Sequence, residues 1–227
     1  MMLCDEAVLT GLTERHLVQN VQGVKLHTDV AAPFAALCAA AQLDGITIRV
    51  ASSFRSFDRQ AQIWQAKFSG QKPVFDQHGQ PVLMEQLAGL AKLEAILLYS
   101  ALPGASRHHW GTDLDLYDAA AVTADYQLQL TPAEYGPNGP FYRLACWLKQ
   151  HSARYDFFLP YQHYQGGVAA EPWHLSYQPV ASEYLAQFSP ALLKHCLAQH
   201  PITGQDVVLA HLDALYQRYI SNICPPQ

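Results

Sequence analysis

The sequence predicts an α+β domain followed by a helical extension, on three observations. Helical runs and short strands intermix without a regular strand–helix–strand rhythm, which argues against a doubly wound parallel sheet. Half of the 227 residues are hydrophobic, enough for one sizeable core. Beyond Pro179 the strand signal stops and only helical periodicity remains. The expected division is a domain over residues 1–180 and a helical extension over 181–227.

In chain order, residues 1–27 carry no clear period. The alanine-rich run from Val30 to Leu43, with Phe34, Leu37 and Cys38, reads as a buried helix that Asp44-Gly45 ends. Ile46 to Ala51 alternates as a strand and Ser52 to Arg55 turns. Phe57 to Phe68 is a helix, with Gln60, Ile63, Trp64 and Phe68 near one another in helical period. Residues 71–83 hold Pro73, Gly79 and Pro81 and read as a loop. Met84 to Ser100 reads as one long helix stopped by Pro103-Gly104, and a strand runs through Leu114 and Leu116. Residues 119–138 look irregular, and Phe141 to Ser152 is an amphipathic helix. Tyr155 to Pro160 and Trp173 to Tyr177 are short strands around a loop. Ser182 to His200 and Gln205 to Ile220 are two helices parted by Pro201 and Gly204.

Composition excludes several functions. Only 15% of residues are charged and the net charge is −5, so no basic field exists for nucleic acid. No apolar run approaches the roughly 18 residues that would span a bilayer. The opening Met1-Met2-Leu3-Cys4-Asp5-Glu6 lacks a basic segment followed by an apolar one, so a cytoplasmic location is expected. Cys4, Cys38, Cys146, Cys196 and Cys224 are scattered, with no closely spaced pair. Neither a disulfide framework nor a cysteine zinc site is indicated.

Three segments carry chemistry. In Ser106-Arg107-His108-His109-Trp110-Gly111-Thr112-Asp113-Leu114-Asp115 a histidine in a loop precedes a strand with alternating acids. Asp113, Asp115 and Tyr117 share the face opposite Leu114 and Leu116. Two acids beside a histidine suit a cation such as zinc, and the pattern equally suits a solvated edge strand. In Glu171-Pro172-Trp173-His174 the proline places Glu171 just outside the strand that carries His174. Two histidines and one carboxylate would make three ligands and leave a fourth position for water. A second carboxylate is then needed to carry protons, and Glu171 offers one. Ser52-Ser53-Phe54-Arg55 runs into a helix start, where Arg55 would suit a carboxylate or an oxyanion or, more plainly, a capping turn at the surface.

Together the segments resemble the VanY- and VanX-type D-alanyl-D-alanine carboxypeptidases, the M15 metallopeptidases. Three spaced motifs stand in the family's order: Ser52, Arg55 and Gln60; then Ser106, His108 and Asp115; then Glu171 and His174. The resemblance spans roughly residues 30–178. It implies a small central antiparallel sheet flanked by helices, a fold shared with the hedgehog amino-terminal domain. It implies that His108, Asp115 and His174 bind zinc, that Glu171 is general base and acid, and that Arg55 steadies the scissile carbonyl. It makes Ser106 and Gln60 contacts to the substrate, a peptidoglycan stem peptide or muropeptide. Three positions depart from the pattern. His109-Trp110 replaces a Gln-Thr-like pair, Asp113 a small residue, and Asp156 a common glycine. Asp113 is expected either to hydrogen-bond a ligand or to bind substrate. Trp110 is expected at the cleft, where His109-Trp110 and the 71–83 loop would close the side of the leaving residue. That closure favours a carboxypeptidase, D,D or L,D. The alternatives are an endopeptidase of the same family and a non-catalytic zinc module, the last disfavoured because Glu171 and Arg55 are both present.

Overall fold

Alternation along Asp113–Asp118 gives the central sheet its two unlike faces. Leu114 and Leu116 are buried on one side, Asp113 and Asp115 on the other. The computed structural model describes residues 4–20 and 22–226. Met1 to Leu3, part of the opening segment read above, lie outside the described residues. The elements in order are α1 (Glu6–Leu9), β1 (Leu17–Gln19), β2 (Lys25–His27), α2 (Ala31–Leu43), β3 (Ile48–Ser52) and α3 (Phe57–Phe68). There follow α4 (Gly89–Leu97), β4 (Asp113–Asp118), α5 (Pro132–Tyr135), α6 (Tyr142–His151), β5 (Phe157–Phe158) and β6 (His174–Tyr177). The chain ends with α7 (Gln178–Gln187), α8 (Pro190–Gln199), α9 (Gln205–Ala210), α10 (Leu212–Leu215) and a π-helical turn over Tyr216–Ile220.

The sheet runs β3-β4-β6-β5, and every neighbouring pair is antiparallel. A bulge between Val50 and Ser52 brings Ser52 opposite Asp115. The N-terminal residues, which showed no period, form α1 and a β1-β2 hairpin. The apolar sheet face, with Ile48, Leu114, Leu116 and Leu175, packs on Phe34 and Leu37 of α2 and Leu144 and Trp147 of α6.

A second cluster joins Phe57 and Trp64 of α3 and Leu93 and Ile96 of α4 to Ala181, Leu193, Leu197, Leu212 and Leu215. The helical extension therefore has no separate core; it completes the one begun by α3 and α4. Leu193 and Leu197 are fully buried, and such a side chain typically contributes roughly 1.5–3 kcal/mol. Trp64 Nε1 also donates to the Thr203 carbonyl at 2.9 Å, which locks the two parts together.

Three helices are shorter than their periodicity predicts, and the one expected from Gln205 to Ile220 breaks at His211 into α9, α10 and the π-helical turn. The expected helix from Met84 to Ser100 is a 3₁₀ turn (Met84–Gln86) and then α4, because Leu87 and Ala88 are extended and Gly89 takes φ +54°. The expected helix from Ser182 to His200 breaks at Phe188 and Ser189, both extended. Ser189 then caps α8 by accepting from Leu192 N–H, with Pro190 in the first turn. Asp156 adopts φ +62°, the conformation a glycine would take there. All five cysteines are unpaired. Among the described residues no helix is long and apolar enough to cross a membrane.

Candidate metal centre

Sheet register brings the first two groups together. Asp115 of β4 lies directly opposite His174 of β6, and directly paired residues project from the same face. The third comes from a 3₁₀ turn over Arg107–Trp110, just before β4. Gly111 ends that turn at φ +69°, where a Cβ would stand 2.8 Å from the His27 nitrogen. Only glycine permits this approach of β2 to the turn. Glu171 begins a tight turn in which His174 N–H donates to the Glu171 carbonyl at 3.0 Å. That turn places the two side chains side by side, with Glu171 Oε2 3.3 Å from His174 Nδ1.

His108, Asp115 and His174 converge, with one ligand atom from each lying within 4.8 Å of the others. His108 Nε2 is 3.4 Å from Asp115 Oδ2 and His174 Nδ1 is 3.3 Å from Asp115 Oδ1. The far nitrogen of each ring is already engaged. His108 Nδ1 meets the Ser53 carbonyl at 2.9 Å, and His174 Nε2 meets Asp113 Oδ1 at 2.9 Å. Asp115 Oδ1 is buried without a hydrogen-bond partner. A buried carboxylate oxygen left unmatched is costly, and a cation placed between it and two inward-facing imidazole nitrogens would satisfy it. These three residues therefore fit a metal ion, with outer hydrogen bonds that fix both rings.

The electrostatics agree with that fit. Burial opposes protonation of His174, but Asp113, Asp115 and Glu171 outweigh it and hold its pKa well above the ordinary value. Burial likewise opposes ionisation of Asp115, yet His108 and His174 hold its carboxyl well below the usual range. Burial pushes the Glu171 carboxyl up, partly countered by His174. Burial, helped by the Arg55 charge, pushes His108 down against the pull of Asp115.

Arg55 reaches this cluster. Its Nε donates to Ser52 Oγ at 3.0 Å, Nη1 to Gln60 Oε1 at 3.1 Å and Nη2 to Asp115 Oδ2 at 3.2 Å. Gln60 differs from its expected role as a substrate contact. It is 0% exposed, and its amide donates to the Ala101 carbonyl at 2.8 Å while its oxygen holds Arg55. Trp110 likewise does not line the cleft. It is 1% exposed, donates to the Leu9 carbonyl at 3.1 Å and stands edge-on to Tyr184 in the second core. His109 is buried as well and buckles two loops, meeting the Arg55 carbonyl through Nδ1 at 2.7 Å and accepting from Gly104 N–H through Nε2 at 3.0 Å. Neither can close the cleft. Ser106 is buried at the start of the His108 turn.

Asp113 is fully buried and fully engaged, which removes it as a substrate contact and leaves the ligand-supporting role. It accepts from Arg107 Nε at 2.7 Å, Thr112 Oγ1 at 2.6 Å, Ser176 Oγ at 3.1 Å and His174 Nε2. Burial raises its pKa, but Arg107 first and His174 next bring it far below the usual range. Arg107 stood inside the first segment, but its pairing depends on the turn reversing it toward β4, which spacing does not reveal. Tyr161, also missed, stands edge-on to His174 at 5.0 Å, and its carbonyl accepts the Glu171 N–H at 2.9 Å. Lys67 lies seven residues beyond Gln60, almost on the same helical line of α3. Burial pushes its ammonium down to about 8, opposed by the Glu171 carboxylate.

An antiparallel sheet that gathers two histidines, one carboxylate among them and a second carboxylate alongside is the arrangement of a hydrolytic metallopeptidase. The chain belongs to the VanY family, D-alanyl-D-alanine carboxypeptidases, whose model matches residues 23–180. It is 38% identical over 121 residues to a Haemophilus influenzae protein described as uncharacterized, covering 52% of this chain and 92% of that one. A second protein of that organism, described in the same way, is 38% identical over 99 residues, 42% of this chain and 68% of its own length. Among solved structures it is similar to VanYB in complex with D-alanine-D-alanine (TM-score 0.51, 24% identity, 79% of this chain and 87% of that chain). It is similar to a D,D-pentapeptidase VanY in complex with Zn(II) (TM-score 0.51, 21% identity, 86% and 92%). The LdcB LD-carboxypeptidase is a third such fold (TM-score 0.53, 19% identity, 85% and 77%).

Proposed function

We propose that this chain is a zinc-dependent carboxypeptidase that removes the terminal D-amino acid from peptidoglycan stem peptides. The observation that carries the reading is Glu171, a carboxylate 3.3 Å from the inward nitrogen of His174 yet outside the three-residue cluster. His108, Asp115 and His174 would hold the zinc, which when bound would polarise the scissile carbonyl and acidify a water. Glu171 takes the proton of the attacking water and delivers it to the leaving amine. Its raised pKa suits a group that must first accept and then release a proton near neutral pH. Arg55 donates to the carbonyl oxygen as negative charge builds there, and Gln60 and Ser52 hold its guanidinium for that purpose.

Cleavage at a terminal residue is favoured over an internal cut by Lys67, a cation whose charge reaches Glu171. It supplies a counter-charge for the free carboxylate of a leaving residue. The experiment is digestion of defined tri-, tetra- and pentapeptide stems by the zinc-loaded protein, each with a free or an amidated C-terminus. Mass spectrometry should find loss of one terminal residue, faster from the free acid, and none with Glu171→Ala, which keeps its metal. Cleavage inside the stem would make the chain an endopeptidase, and no cleavage by the wild type would end the reading.

A further inference from the structure

The loop between β5 and β6 delivers Glu171. Its Trp173 carbonyl accepts the Leu116 N–H of β4 at 3.0 Å, Ala169 N–H donates to the Leu98 carbonyl at 2.9 Å, and within the loop Glu171 N–H donates to the Tyr161 carbonyl at 2.9 Å. Much of its restraint comes from the far end of the chain. Cys224 N–H donates to the Pro160 carbonyl at 2.8 Å, immediately before Tyr161. Asn222 Nδ2 donates to the Gln165 carbonyl at 2.9 Å, and Arg218 Nε to the Gly166 carbonyl at 2.6 Å. Gln165 Nε2 in turn points to Cys224 Sγ at 3.4 Å. Arg218 is itself anchored to Glu94 of α4 by a salt bridge. At Gly167 the two segments touch so closely that an added Cβ would stand 1.9 Å from the Arg218 carbonyl oxygen.

We propose that residues 218–224, outside the stretch shared with the family model, form a strap that holds the 160–167 loop and so positions Tyr161 and Glu171 against His174. The loop carries three side-chain or backbone bonds from the strap at Pro160, Gln165 and Gly166, on both shoulders of its bend. Tyr161 sits next to the first of these points, and it is Tyr161 that both receives the Glu171 N–H and packs on His174. Arg218, Asn222 and Cys224 are positioning residues, since none touches the cluster. The strap also gives the C-terminal extension a task beyond core packing: it closes a path from α4 through Arg218 to the loop that ends at Glu171. This inference rests on Glu171 as the proton carrier.

Gly167→Ala in the full-length zinc-loaded protein is the sharpest test. Gly167 lies outside the left-handed region, and the three nearest atoms that an added Cβ would meet all belong to Arg218 and Asn222 of the strap. A displacement of about 1 Å at the proton carrier costs roughly 100-fold in rate, so kcat should fall by about 10- to 100-fold. KM and zinc content should stay within about 3-fold of wild type, and hydrogen exchange at the 161–171 amides should quicken. Arg218→Ala should give the same split, and Arg218→Lys, which keeps a donor for Gly166, should recover part of kcat. Variants with wild-type kcat, or with a quickened loop and unchanged kcat, would overturn the strap. Absence of activity in the wild type as well would instead strike the proposed function, while the exchange result would still report whether the strap holds the loop.

Discussion

His174 meets Asp113 through Nε2 at 2.9 Å, and that contact turns Nδ1 toward Asp115. Asp113 is held ionised by Arg107, so it can only accept, and His174 must donate through Nε2. Asp113→Ala should therefore weaken zinc binding by about 10- to 100-fold in a chelator competition. It should also destabilise the chain by about 3–5 kcal/mol in urea, because Arg107 would stay buried without its partner. Unchanged zinc affinity would mean that His174 is oriented by packing alone.

Arg55 contacts three groups at once through a planar fork, which a lysine cannot reproduce. Arg55→Lys should lower kcat by about 10²–10³, the usual effect of losing one donor to a developing oxyanion, with a smaller change in KM. A rise in KM alone would make Arg55 an anchor for the substrate carboxylate.

Leu193 lies in the extension but packs in the core of α3 and α4. Leu193→Ala should cost about 2–5 kcal/mol in a single urea transition seen equally by tryptophan fluorescence and circular dichroism. Two separate transitions, with the first confined to the extension, would show that the domain folds without it.

His16 gives the stability a pH dependence away from the metal centre. Its ring nitrogens are buried between His27, at 5.7 Å between centroids, and Phe54, at 6.1 Å, with Arg15 adjacent in sequence. Burial first and the His27 charge second bring its pKa from 6.5 to about 4. The unfolded chain thus binds a proton below 6.5 that the folded chain refuses until about 4. The contribution of neutral His16 is complete above that upper value and is lost as pH falls through the window. Urea midpoints at pH 7 and 5 should fall less in His16→Phe than in the wild type, and parallel falls would refute the assignment.

Much of this was legible in the sequence, where side-chain chemistry and local period speak together. The helix Phe57–Phe68 has the predicted bounds, because Ser56 caps its start and the apolar positions recur on one face. Alternation alone left Asp115 and His174 on separate segments; the family resemblance joined them in one site, and the structure supplies the register that pairs them. What remained hidden depends on direction. Trp110 follows two histidines of a 3₁₀ turn, and sequence proximity to His108 does not say that it points into the opposite core. Gln60 reads as a polar contact until its burial shows that it serves Arg55. The break at Phe188 was signalled by Ser189-Pro190, a start motif masked by the apolar period running through it. Arg107 and Tyr161 could be found only through contacts between elements distant in the chain.

The account stands most directly on one measurement: an anomalous difference map at the zinc edge from crystals grown with zinc. It predicts a single strong peak bonded to His108 Nε2, an Asp115 carboxylate oxygen and His174 Nδ1 at about 2.0–2.2 Å, with Glu171 close by but unbound. A peak elsewhere, none at all, or one ligated by Glu171 in place of Asp115 would contradict it.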